Sequence, residues 1–189
     1  MDHIDFEVKK LGEASYPSPF LNSILANGID YDFITDSNRV IMDTSLKNFK
    51  RYMDNDQMPL SFEKSGPHEK LYFNPVKTSA AIVTCGGLCP GLNNVIRSLV
   101  NQLHYRYNVT RTLGFQYGFE GFIPKYNHPV IDLTPQLVED IHLTGGSILG
   151  SSRGNQDVKE IVNTLVNQKS SDGKYHGYFD QKQSFELFK

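Results

Sequence analysis

Two cysteines are all that the 189 residues contain, and both stand in one short stretch, as Cys85 and Cys89. Without a third or fourth cysteine to complete a thiolate set, a zinc site is not expected. In a chain expected to be cytosolic, a disulfide between them is not expected either. They read as small residues packed near a tight turn. An excess of charge is also lacking. The 19 basic and 21 acidic residues leave a net charge of −2, which gives no electrostatic footing for nucleic acid or an anionic membrane. No apolar run approaches the length of a membrane span. The N-terminus, MDHIDFEVKK, lacks the basic-then-apolar order of a signal peptide. The remaining expectation is a cytoplasmic globular chain, long enough for one domain with a real core.

The stretch that organises the rest runs from Ser79 to Leu103, SAAIVTCGGLCPGLNNVIRSLVNQL. Ala80 to Thr84 is a short apolar run that reads as a buried parallel strand. The chain then breaks at Gly86-Gly87, passes Pro90-Gly91, and resumes with Leu92, Val95, Ile96, Leu99, Val100 and Leu103 at helical spacing. Strand, glycine-rich turn and helix in that order aim backbone N–H groups and the positive end of a helix dipole at one point, where an anion can sit. Adjacent glycines let a phosphate approach the backbone. A tight connection that binds nothing has the same outline, so spacing alone leaves both readings open.

The spelling of the turn says more. GGLCPGLNNVIR is neither the dinucleotide fingerprint G-x-G-x-x-G nor the phosphate loop G-x-x-x-x-G-K-[ST]. It resembles the first nucleotide-site motif of the 6-phosphofructokinase family, GG-x-x-PG-x-N after the first sheet strand. A second match lies at Gly145 to Gly154, GGSILGSSRG, and a third between them at Gly114 to Phe122, GFQYGFEGF. Together they cover roughly residues 62 to 168. GGLCPGLN behind a long leading segment is most similar to the long-chain, plant- and protist-like, ATP-dependent branch.

The resemblance implies an α/β fold, the N-terminal part of a doubly wound, Rossmann-like parallel sheet preceded by an irregular extension. It implies transfer of the γ-phosphoryl of ATP, with Mg²⁺, to fructose 6-phosphate in glycolysis. It also implies a homo-oligomer, by analogy with full-length members. Gly87 would let the nucleotide phosphates approach the backbone. Arg153 would stabilise charge on the transferring group, and Gly154 would line the same site. Arg153 also has a reading of its own: a guanidinium among glycines and serines suits an anion clamp, and a plain surface arginine is the alternative. Phe119 matches an aromatic position near the adenine, where a ring offers a flat apolar surface; core filling is equally open to it. An effector role is not carried over to Arg97, because Asn101 stands where a second arginine is needed. His68 replaces an arginine of the family's lead-in and reads as a surface residue.

Along the rest of the chain, residues 1–78 form an extension dense in turn signals, with Asn38 to Asp43 a short strand and Asn48 to Met53 a short helical turn. Val109 to Phe115 is a second strand, and the helix before it makes a right-handed crossover. Pro129 to Leu133 is strand-like. Thr134-Pro135 then opens a predicted helix with Leu137, Val138 and Ile141 on its apolar face. Asp157 and Glu160 cap the next helix, whose face is Val158, Ile161, Val162, Leu165 and Val166.

Residues 79–168 therefore read as a partial nucleotide-binding domain and 169–189 as a polar tail outside the family pattern. The tail, KSSDGKYHGYFDQKQSFELFK, has no valine or isoleucine and does not read as a parallel core strand. Its Asp172-Gly173 lacks the strand and paired glycines of a GGDGT-like loop. The catalytic aspartate and the Mg²⁺ ligands are expected to lie beyond this match, so no metal ligand is assigned. A truncation or a frameshift would account for the tail, and the chain alone is expected to be inactive. A pyrophosphate donor, a shortened non-catalytic chain pairing with a full-length paralogue, and a nonproductive nucleotide-binding fragment are the alternatives.

Overall fold

The computed structural model describes residues 10, 12–21 and 32–170. The turn expected at Asn27-Gly28 and the tail beyond Ser170, with Asp172-Gly173, lie outside the described residues. The chain divides into two compact units, Met1–Tyr72 and Phe73–Lys189.

The first unit is built from short pairings. Strand β1 (Tyr16–Pro17) runs antiparallel to β4 (Lys70–Leu71), and β2 (Arg39–Ile41) runs antiparallel to β3 (Ser61–Glu63). Between β2 and β3 lies helix α1 (Leu46–Asp54), longer than the single turn expected at Asn48–Met53 and with no buried residue. The extension expected to be irregular thus carries two small sheets, with Phe20 and Ile34 buried. His68 is exposed, as a surface residue should be.

The second unit carries the sheet β5 (Ser79–Val83), β6 (Arg111–Phe115) and β7 (Val130–Asp132), in that spatial order. β5 and β6 are parallel, from Ser79↔Arg111 to Val83↔Phe115. They are joined by helix α2 (Leu92–Asn101), so the βαβ reading of residues 79–114 holds. The third strand departs from an all-parallel sheet: β7 is antiparallel to β6, with Gly114↔Ile131 and Phe115↔Val130. The connection over residues 116–129 holds only 3₁₀ turns, at Gly118–Phe122 and Pro124–Tyr126. With no crossover helix to carry it back, the chain returns in the opposite direction.

Two-residue alternation assigns the sheet's faces. Ile82, Gly114 and Ile131 form one row, and the face they share packs on Ile96 and Val100 of α2 with Leu133, Val138 and Leu149. Val83, Phe115 and Val130 form the adjacent row. Their face packs on Leu113, Phe122, Ile123 and Ile161, the last from helix α3 (Val158–Ser170). Helices cover opposite faces of one open sheet, which is the doubly wound arrangement. Gly114 is required by this packing. A Cβ there would lie 2.6 Å from Leu149 Cδ2 and 3.0 Å from Leu133 Cδ1. Both leucines are buried and have little room to yield, so Gly114→Ala is expected to destabilise the unit by about 1–3 kcal/mol. A thermal melt of the variant within 1 °C of the parent would contradict this.

Helix α3 starts where the sequence places it. Asp157 Oδ1 accepts the N–H of Glu160 at 2.9 Å, the first half of the expected capping box. Asp157→Ala is expected to cost about 1 kcal/mol, read as a lower midpoint in urea with unchanged slope. Two other expectations need correction. The apolar face of α2 is narrower than predicted: Ile96 and Val100 are buried, whereas Val95 and Leu99 are 55% and 45% exposed. The helix is rotated so that Asn93, Ile96 and Val100, at i, i+3 and i+7, face inward. The helix predicted after Thr134-Pro135 is a run of turns ending in a 3₁₀ turn at Ile141–Leu143. Thr134 does cap it, Oγ1 accepting the Leu137 N–H at 3.2 Å. Just downstream, Thr144 is held by the Asn93 amide.

Candidate functional site

The C-terminal end of β5 is where three loops meet. Thr84 follows the strand, and its hydroxyl contacts Ser147 Oγ at 3.0 Å and donates to the Gly150 carbonyl. Cys85 pairs with Ser152 as a one-residue parallel bridge. The Gly86 N–H donates to the Ser152 carbonyl at 3.0 Å, and Ser151 Oγ donates back to the Gly86 carbonyl at 2.6 Å. The second glycine-rich loop thus runs alongside the first turn like an added strand. The third loop closes against both. Tyr117 donates its N–H to the Leu149 carbonyl at 2.7 Å. A Cβ on Gly118 (φ +62°) would lie 2.7 Å from Ser152 Oγ.

This convergence sets the predicted phosphate residues side by side. A Cβ on Gly87 would stand 3.2 Å from Nη2 of Arg153, although 66 positions separate the two in sequence. Among the described residues, none of the ion pairs engages Arg153, and its side chain is exposed. Gly154 follows at φ +124° with open space where a side chain would be. Behind Gly87, helix α2 begins at Gly91, a left-handed N-cap (φ 92°) that makes no side-chain cap bond. The first N–H groups of a helix have no partner inside the helix, and a glycine cap leaves them for an incoming anion. The cradle, one guanidinium and one helix N-terminus together suit a phosphate chain. A side chain at Gly87 would occupy it.

Phe119 is half-buried and packs against the cluster of Leu113, Phe115, Phe122 and Ile123, with its ring centroid 6.4 Å from that of Phe122. Its backbone N–H reaches the Cys85 sulfur. Packing around Cys85 pushes the thiol above its ordinary value, and the Phe119 hydrogen bond opposes that shift. Both cysteines are free. Among the described residues, no group of three or more His, Cys, Asp or Glu side chains is placed to hold a metal ion. Arg97 is not loose in solvent: its Nε donates to the Glu139 carbonyl at 3.0 Å.

Asn93 entered the sequence reading only as the last letter of GG-x-x-PG-x-N and was given no role there, yet it ties the site together. Its Nδ2 donates to the Thr144 carbonyl and hydroxyl at 3.0 and 3.2 Å, and its Oδ1 accepts the Ile148 N–H at 2.9 Å. The signal was available: an asparagine on the same helical face as Ile96 and Val100 must find partners when buried.

Residues 79–172 match a family model described as phosphofructokinase. An ATP-dependent 6-phosphofructokinase from Amycolatopsis methanolica is 43% identical over 162 residues, which is 86% of this chain and 35% of that one. One from Entamoeba histolytica is 53% identical over 104 residues, 55% of this chain and 24% of that one. ATP-dependent 6-phosphofructokinase 7 of Arabidopsis thaliana is 48% identical over 104 residues, 55% of this chain and 21% of that one. The chain therefore spans about a third or less of the length of these relatives. No helix among the described residues is long and apolar enough to cross a membrane.

Proposed function

We propose, from the match of residues 79–172 to the phosphofructokinase family model, that this segment binds the phosphates of ATP in a 6-phosphofructokinase. The reaction transfers the γ-phosphoryl group to fructose 6-phosphate, as a step of glycolysis in the cytoplasm. The observation that carries the reading is the placement of Arg153 against Gly87 at the end of β5. Phosphoryl transfer depends on positioning and charge neutralisation more than on covalent chemistry. Gly87 admits the phosphate chain to the backbone, Arg153 offsets charge on the transferring group, and Gly154 leaves the adjacent wall open. Phe119 borders the nucleotide through the loop that closes on Ser152, with its ring held in the core beneath. In the whole protein the sugar-activating carboxylate and the Mg²⁺ ligands come from outside residues 79–168. That segment acts as the partial nucleotide-binding domain, behind an extension over 1–78 and ahead of a tail over 169–189. Assembly into a homo-oligomer belongs to the same reading.

Calorimetric titration of residues 1–189 with ATP and with inorganic tripolyphosphate tests the binding half of this reading. Saturable heat for both ligands is expected, with dissociation constants on the order of 1 mM or tighter, about −4 kcal/mol or better. Absence of saturation by either ligand would reject the phosphate cradle. A fructose 1,6-bisphosphate assay on a longer enzyme carrying this segment tests the transfer.

A further inference from the structure

We infer that Asn93 is a positioning residue, which holds residues 144–148 so that Arg153 stays beside Gly87. The inference rests on the phosphate-cradle reading and concerns how the cradle is kept in shape. Asn93 is 3% exposed, on the inward face of α2 where its neighbours Ile96 and Val100 are apolar. A buried amide is costly there unless its hydrogen bonds are met. Three of its four hydrogen-bonding slots are used, two donors on Thr144 and one acceptor on Ile148. The partners fix which way the amide faces, since only its oxygen can accept the Ile148 N–H and only its nitrogen can donate to a carbonyl.

What Asn93 grips is a loop that the sequence makes loose. Gly145, Gly146, Gly150 and Gly154 fall within ten residues, and three of them adopt left-handed backbone, at φ +80°, +62° and +124°. Glycines lose the most conformational freedom when ordered. The far end of the loop is tied to the first turn at Ser151 and Ser152. Thr84 and Tyr117 hold the middle of the loop at Ser147, Leu149 and Gly150, and Asn93 adds ties at Thr144 and Ile148 from the same helix whose N-terminus faces the ligand. With both ends fixed, the run from Ile148 to Arg153 has one path, and the guanidinium is placed before the ligand arrives. This is preorganisation: the loop is ordered by folding and not by binding.

A double-mutant cycle on residues 1–189 tests this, with inorganic tripolyphosphate as the probe and calorimetry as the readout. Asn93→Ala is expected to weaken binding about tenfold, the size of one to two lost hydrogen bonds. In an Arg153→Ala background the same change is expected to cost less than about twofold, because the residue it positions is gone. Val138→Ala, in the core cluster under α2 but without a polar tie to the loop, is expected to lower the melting temperature and leave affinity unchanged. If Asn93→Ala does not fold, Asn93→Ser carries the same expectation. Unchanged affinity with a lowered melting temperature would overturn the inference and make Asn93 a stability residue only. A full tenfold loss retained in the Arg153→Ala background would overturn it as well. Absence of tripolyphosphate binding by the parent chain would remove the cradle reading together with the inference.

Discussion

Arg153→Ala is expected to lower turnover about a hundredfold or more while leaving the Michaelis constant for fructose 6-phosphate within a few-fold. The frame for this experiment is an enzyme in which residues 79–168 of this chain replace the matching segment of the Amycolatopsis relative. The guanidinium lies over Gly87, is exposed, and is not ion-paired with any carboxylate among the described residues. A cation facing the transferring phosphoryl group acts on charge that shifts as the bond to the leaving oxygen lengthens. Removing such a donor typically costs on the order of 3 kcal/mol, which is roughly two powers of ten in rate. On the proposed reading the sugar is held outside this loop, so its binding is the internal control. Arg153→Lys should recover only part of the rate, because an ammonium cannot offer the paired, planar donors that fit two phosphate oxygens. Normal turnover in the alanine variant would reduce Arg153 to a surface charge.

The strand, the turn and the helix between Ser79 and Leu103 were readable because each rests on local pattern. The apolar run from Ala80 to Thr84 needs no partner to be recognised, and neither does the doublet Gly86-Gly87. The cap at Asp157 is equally local, and the structure retains it. What failed depended on contacts far away in sequence. The direction of β7 is decided by the path of residues 116–129, and an alternating strand pattern reads the same in either direction. The turns at residues 135–140 carry a bond from far away in sequence, Arg97 Nε to the Glu139 carbonyl, 42 residues distant. Helical spacing gave α2 an apolar stripe that included Val95 and Leu99, since leucine and valine count alike wherever they fall. Which side of a broad stripe turns inward is settled by the sheet beneath it. The site divides the same way. Gly87 and Arg153 were each found from their own loop, but their contact depends on the bridge between Cys85 and Ser152, which no spacing rule contains.

Gly87→Val is expected to abolish binding of ATP and tripolyphosphate by residues 1–189, more than a hundredfold, while the melting temperature moves by only a few degrees. These two effects separate because of the backbone. Gly86 and Gly91 sit at φ +90° and +92°, where any side chain strains the chain, but Gly87 is outside that left-handed region. A valine can therefore adopt the backbone of Gly87 without the penalty it would meet one residue earlier. Its cost lies in space: the Cβ alone would come within 3.2 Å of Arg153 Nη2, and the two methyl groups would extend into the gap between guanidinium and backbone. Arg153 is exposed and can swing outward, which spares the fold and empties the cradle. Gly86→Val is the informative comparison, expected to lose both stability and binding because it strains the turn that pairs with Ser152. Circular dichroism melts and calorimetric titrations of the two variants read the difference directly. Unchanged ligand affinity in Gly87→Val would show that the turn serves only to join a strand to a helix.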